Sequence, residues 1–171
     1  TESKQLRDKV YQLKNHGRLE KGKFVHESIG YNFSFTEMQA AVGVSQLKKL
    51  SAIKDKKKRI YNRYMEGLSS ISSDLKPVWV DKTCDPVWWF TSFLSERREQ
   101  LEQFLLGFGI QTRKFFCPLH LQPCYQDMEF DRSKFEVSEA AYRQGISLPS
   151  AYNLTLEEQE FIIEKILEFH K

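Results

Sequence analysis

Ile29-Gly-Tyr-Asn-Phe-Ser-Phe-Thr-Glu-Met-Gln-Ala-Ala-Val-Gly43 is the stretch around which the chain is arranged, an exposed turn feeding directly into a long helix. Thr36 is a favourable N-cap and Gln39 stands at the third helical position. This Thr-x-x-Gln pattern predicts a capping box that satisfies two orphan backbone donors. Ahead of it, Gly30, Tyr31 and Asn32 offer a flexible joint, an amphipathic ring and an amide, suited to meeting something polar rather than to filling a core. The same letters also suit an ordinary loop before an ordinary helix. Along the helix, Met38, Val42, Leu47 and Leu50 form the apolar positions. Ala40, Ala41 and Gly43 are small enough for a second backbone to approach, either as a subunit contact or as a tight core crossing.

Outward from there the apolar spacing predicts a first helix over 3–15, with Leu6, Val10, Tyr11 and Leu13 on one stripe and Gly17 as its stop. Residues 18–29, with Lys21, Lys23 and His26, read as a polar loop, the histidine exposed to solvent. A helix through Ile53, Ile60, Tyr64 and Leu68 follows, then a turn over 69–74. Residues 76–80 and 87–94 are rich in β-branched and aromatic side chains and read as strands. Ser95 opens a helix carrying Leu101, Phe104, Leu105 and Phe108, which Gly109 closes. A short strand over 110–113, an irregular segment over 114–128, a helix over 136–144 and an edge strand over 146–148 come next. The last helix starts at Thr155 with Glu158 as a second capping box and runs to Phe169, with Phe161, Ile162, Ile166 and Phe169 as its stripe. This order predicts an α/β or α+β layer, a small sheet packed with helices. The expected division is a linking region over 1–50 and a small α/β domain over 51–171.

A chain of 171 residues, 40% hydrophobic and 13% aromatic, is a folded one. It opens on Thr1 and runs straight into helix, which reads as a piece of something longer. No apolar run approaches the ~20 residues that span a bilayer and no leader precedes the first helix, so a soluble, cytoplasmic protein is expected. Three cysteines (Cys84, Cys117, Cys124) match neither a disulfide scaffold nor a zinc site, and no metal is expected. The net charge of +3 is small, and Lys54-Asp-Lys-Lys-Lys-Arg59 reads as the solvated face of a helix rather than as a nucleic-acid or anion patch. No nucleophile elbow, Walker loop, H-E-x-x-H or G-x-G-x-x-G is present.

Three ordered segments carry a resemblance. Gly30-Tyr-Asn-Phe-x-x-Thr-Glu-x-Gln-Ala-Ala-x-Gly43, Gly109-Ile-Gln-Thr-Arg-Lys-Phe-Phe-Cys-Pro-Leu-His-Leu-Gln-Pro-Cys-Tyr125, and Ile146-Ser-Leu-Pro-Ser150 with Leu154-Thr-x-Glu-Glu158 together resemble the DegT/StrS-type family of PLP-dependent aminotransferases. The resemblance implies the C-terminal portion of a fold type I transferase that aminates keto groups of nucleotide-linked sugars. Pyridoxal 5'-phosphate would be the cofactor, glutamate a common amino donor, and the parent a homodimer. It implies that the Schiff-base lysine lies upstream, so this chain holds no catalytic residue. The counterpart of Asn32 reaches across the dimer to the cofactor phosphate, and Tyr31 is placed with substrate; by their own chemistry Arg113 offers a planar fork to a phosphate or a sugar hydroxyl and His120 a donor to substrate oxygen. A lone histidine such as His120 more often serves a buried backbone carbonyl. Thr112-Arg-x-Phe-Phe-x-Pro-Leu-His120 is similar to perosamine-synthase-like members, which points to polysaccharide biosynthesis and a 4-keto-6-deoxyhexose nucleotide. Ser34 departs from the family's usual arginine, removing a cation beside cofactor or substrate. A dehydratase relative, or a stand-alone protein-interaction module, remains the alternative.

Overall fold

Both predicted capping boxes form, and each fixes the start of a helix. Thr36 Oγ1 accepts from Gln39 N at 3.3 Å while Gln39 Oε1 accepts from Thr36 N at 2.9 Å. Thr155 and Glu158 repeat the exchange at 3.1 and 2.8 Å. The computed structural model describes every residue except Lys21, Lys23, Gln126 and the side chain of Arg132, so the two loop lysines lie outside the described residues. The chain divides into two compact units, 1–50 and 51–171.

The first unit holds α1 (Lys4–Lys14) and α2 (Glu37–Leu47). α1 ends where His16 and Gly17 turn to positive φ, 58° and 79°, and Gly17 N donates to Gln12 O at 2.9 Å. The returning chain pairs with this end: Tyr31 N donates to Leu13 O at 2.7 Å, His16 N to Tyr31 O at 3.0 Å and Phe33 N to Lys14 O at 3.1 Å. Gly30 is therefore no flexible joint. A Cβ there would stand 2.0 Å from Gly17 N, and one on Gly17 would stand 1.8 Å from Ser28 O, so the pair of glycines permits the backbones to meet. The expected α1 stripe is not a core face: Leu6, Val10 and Tyr11 are exposed, and the buried helix residue is Gln12, whose amide donates to Gly17 O. No residue of α2 is buried. The small residues Ala40, Ala41 and Gly43 thus make no core crossing.

The second unit holds α3 (Leu50–Gly67), β1 (Lys76–Pro77), β2 (Thr91–Leu94), α4 (Arg98–Gly107), β3 (Arg113–Lys114), α5 (Glu136–Gln144), β4 (Gly145–Leu148) and α6 (Leu156–Phe169). The strands form one antiparallel sheet in the order β1-β2-β4-β3, as the α/β layer expected. Its core includes Ile60 and Tyr64 of α3 and Leu68 just after it, against Phe93, Leu101, Leu105, Ile146, Leu148, Ile162 and Ile166. The helical spacings placed Ile60, Tyr64, Leu68, Leu101, Leu105, Ile162 and Ile166 correctly, whereas Phe161 of the expected last stripe is exposed; Gly109 closes α4 at φ 75° with Ile110 N donating to Leu105 O at 3.0 Å.

Strand extents differ from the pattern. β1 stops at Pro77, and residues 87–90 leave the sheet because their aromatic rings stack instead of pairing: Trp88 lies on Tyr61 with ring centroids 3.5 Å apart. β3 starts at Arg113 because Ile110 turns into the core first. β4 is no edge strand; it lies between β2 and β3 and all four of its residues are buried.

Candidate functional site

Alternation along β2 sends Thr91 and Phe93 to the core and leaves Ser92 on the opposite sheet face, where its hydroxyl meets that of Ser147 at 2.9 Å. Over this face the segment after β3 and α5 enclose a cavity of about 830 Å³. Its walls are mainly apolar, with the rings of Phe90, Phe115, Phe116, Tyr125, Phe130, Phe135 and Tyr142, and among the described residues no Asp or Glu lines it. Two of the predicted residues meet here. Arg113 enters from β3, its guanidinium 5.5 Å from the Phe90 ring and 6.0 Å from that of Phe116, with no ion pair among the described residues. His120 lines the same cavity, but its side chain is 5% exposed and engaged: Nε2 meets Glu139 Oε1 at 3.1 Å and the ring stacks on Phe135 at 4.3 Å. That partner is a carboxylate of α5 rather than a backbone carbonyl, so His120 pins the irregular segment to the helix beneath it.

The other two predicted residues lie in the 1–50 unit. Tyr31 is exposed and stacks on Phe33 at 5.2 Å. Asn32 is bridged through its backbone to Asn15, while its amide is exposed and makes no hydrogen bond among the described residues. Backbone pairing therefore fixes the base of an unspent donor and acceptor. His26 is exposed as expected, although Nδ1 lies 2.7 Å from His16 O.

Sequence reasoning missed Lys57. The Lys54–Arg59 run is not a uniformly wet face: Asp55, Lys58 and Arg59 are exposed, whereas Lys56 donates to Leu154 O at 3.0 Å and Lys57 donates to Trp89 O at 3.1 Å and to Ser150 O. Burial pushes the Lys57 amine below its ordinary range. The signal was present, since Lys57 stands four residues after Ile53 and three and four before Ile60 and Tyr61, on the apolar side of α3.

Among the described residues no cluster of three or more His, Cys, Asp or Glu can hold a metal, and no helix is long and apolar enough to cross a membrane. The sequence profile of the DegT/DnrJ/EryC1/StrS aminotransferase family matches residues 1–167. The chain belongs to this family. Within the family it is 31% identical, over 99% of its own length, to the GDP-perosamine synthase of Escherichia coli O157:H7, and covers 46% of that protein. It is 30% identical to the dTDP-3-amino-3,4,6-trideoxy-alpha-D-glucose transaminase of Streptomyces venezuelae, covering 96% of the chain and 43% of the relative. The crystal structure of S. venezuelae DesV in complex with a ketimine intermediate superposes with a TM-score of 0.88 at 27% identity, covering the whole chain and 46% of DesV. The chain thus spans just under half the length of the relatives it matches.

Proposed function

We propose that this chain is the C-terminal part of a PLP-dependent enzyme that transfers an amino group, commonly from glutamate, to a keto group of a nucleotide-linked sugar. The carrying observation is the family match over residues 1–167 together with the exposed apolar surface of the 1–50 unit. Ile29, Phe33, Phe35, Met38 and Leu47 are large side chains left to water, a surface that belongs against more protein. In this reading the missing half of the parent and a second subunit cover it. The resemblance of residues 112–120 to perosamine-synthase-like members favours a 4-keto-6-deoxyhexose and a polysaccharide role, and the three free cysteines suit a reducing cytoplasm.

The described residues fit one part of the cofactor. The Asn32 amide, exposed and unspent on a bridged backbone, suits a phosphate oxygen contributed from a neighbouring active site. When bound, the cofactor supplies the electron sink for moving the amine. Arg113 offers a forked cation to substrate oxygens, Tyr31 a hydroxyl, and His120 holds the segment that walls the cavity. No lysine here is assigned to the cofactor carbonyl. Lys57 has a lowered pKa, but its amine is held by two main-chain carbonyls.

Two experiments test this. Asn32→Ala in the full-length parent should release PLP and depress sugar amination; unchanged cofactor retention and amination would overturn the role of Asn32. PLP and borohydride added to this chain should leave its mass unchanged, and a stoichiometric adduct on one lysine would refute the upstream placement of that residue. The interaction-module reading gains support only if the reading frame proves to open near Thr1.

A further inference from the structure

Among the described residues His16 is the one residue other than glycine at positive φ, 58°. A side chain in that left-handed region is strained, and it stays there only where its surroundings hold it. Both backbone polar groups of His16 are held. Its N–H donates to Tyr31 O at 3.0 Å, and its carbonyl oxygen lies 2.7 Å from Nδ1 of His26, ten residues on. A carbonyl oxygen only accepts, so Nδ1 carries a proton and the His26 ring is the donor. That bond is the ring's single tie among the described residues.

The clamped turn carries the backbone of the candidate cofactor contact. Asn15 bridges to Asn32, Tyr31 N donates to Leu13 O and Phe33 N to Lys14 O, so residues 31–33 hang on the end of α1. The His16 N–H adds the last bond of that ladder, and it meets Tyr31 O only while His16 keeps its left-handed conformation. Asn32 follows directly, its amide exposed and without a hydrogen bond among the described residues. His16 and His26 also line a concavity of about 600 Å³ with Ser28, Ile29 and Gly30. Water entering it competes for the His16 carbonyl, and the His26 ring keeps that oxygen engaged.

We propose that His26 is a positioning residue for Asn32: its ring N–H clamps the carbonyl of the strained His16, and the clamp holds the Tyr31–Phe33 backbone at the angle that aims the Asn32 amide. This role rests on Asn32 serving the cofactor phosphate. Within the polar 18–29 loop, sequence gave His26 no task beyond exposure to solvent.

The test pairs this chain with the full-length parent. In the chain, His26→Leu should speed hydrogen exchange at the His16 amide, held by Tyr31 O, and leave that of Gln159 in α6 unchanged. In the parent, His26→Leu should weaken PLP affinity about two- to tenfold, the scale of one net hydrogen bond. His26→Asn, whose amide N–H stands the same number of bonds from the backbone as the ring Nδ1–H, should restore both readouts. Added to Asn32→Ala, His26→Leu should weaken PLP no further, because no amide is left to aim. Unchanged exchange at His16, no rescue by His26→Asn, or an undiminished loss of PLP in the Asn32→Ala background would overturn the positioning role. Loss of PLP in Asn32→Ala with none in His26→Leu would overturn it too, while the cofactor role of Asn32 stands. Wild-type PLP affinity in Asn32→Ala would instead defeat that cofactor role, and the positioning role with it.

Discussion

α2 and α6 begin with the same hydrogen-bonded box, yet α6 seats Gln159, Ile162 and Ile166 among buried residues whereas α2 buries nothing. The difference lies in the partner surface and not in the helix signal. α6 carries its apolar positions on one stripe, and α3, α4 and the sheet supply the complement within the 51–171 unit. α2 is apolar almost all round, with Met38, Ala40, Ala41, Val42, Val44 and Leu47, a composition typical of helices buried in a larger body. The whole apolar core cluster belongs to 51–171. The sharpest way to break the comparison is to truncate one side chain in each unit. Leu105→Ala, at a site with no exposed surface, should cost about 2–5 kcal/mol in chemical denaturation. Met38→Ala, 81% exposed, should stay within about 0.5 kcal/mol in this chain. A comparable loss from both would mean that α2 is buried after all.

Tyr64 is fully buried and its hydroxyl donates to Pro149 O at 2.8 Å, stitching α3 to the end of β4; burial pushes its pKa far above the ordinary 10. The unfolded chain therefore loses this proton near pH 10 while the folded chain keeps it. The contribution is fully present below that pH and lost as pH rises above it. Stability of the 51–171 unit should decline on the alkaline side, and Tyr64→Phe should flatten that decline. At neutral pH the variant should cost about 1–3 kcal/mol, because the Pro149 carbonyl is left without its donor. An alkaline profile identical in wild type and variant would show that another group carries the effect.

What was legible from the letters follows the same divide. Helix stripes that end in a core, such as Ile60, Tyr64 and Leu68 or Leu101 and Leu105, were read correctly because their spacing encodes a partner inside the chain. Capping boxes are local and were equally plain. Strand limits were not, since Trp88 and Trp89 satisfy strand propensity while using their rings to stack. The central place of β4 was hidden because pairing order is a long-range property that Ile146-Ser-Leu148 does not specify. At the candidate site, Arg113 and His120 do line one cavity, but nothing local announced that Glu139 would hold the histidine, and the inward turn of Lys57 was written only in its spacing from Ile53, Ile60 and Tyr61. Charge runs hide such residues, because the sign of a side chain is visible in sequence and its facing partner is not.

Removing one capping hydroxyl from each helix isolates the cap from its surroundings. Thr155→Ala removes the acceptor for Glu158 N and should cost the 51–171 unit about 1 kcal/mol, seen as a lower denaturation midpoint. Thr36→Ala removes the same hydrogen bond from α2, where no packed face holds the helix once its end frays. Its signature should differ in kind: a small loss of helical circular dichroism before the transition, with the midpoint of the 51–171 unit unmoved. Hydrogen exchange at Gln39 and Ala40 would locate that loss in α2, since these amides are held by Thr36 Oγ1 and Thr36 O. In a parent that covers α2 with more protein, the same substitution should instead behave like Thr155→Ala, because packing would then couple the cap to a cooperative unit. The ratio of the two effects, measured in chain and parent, reads out how much of α2 the rest of the protein claims.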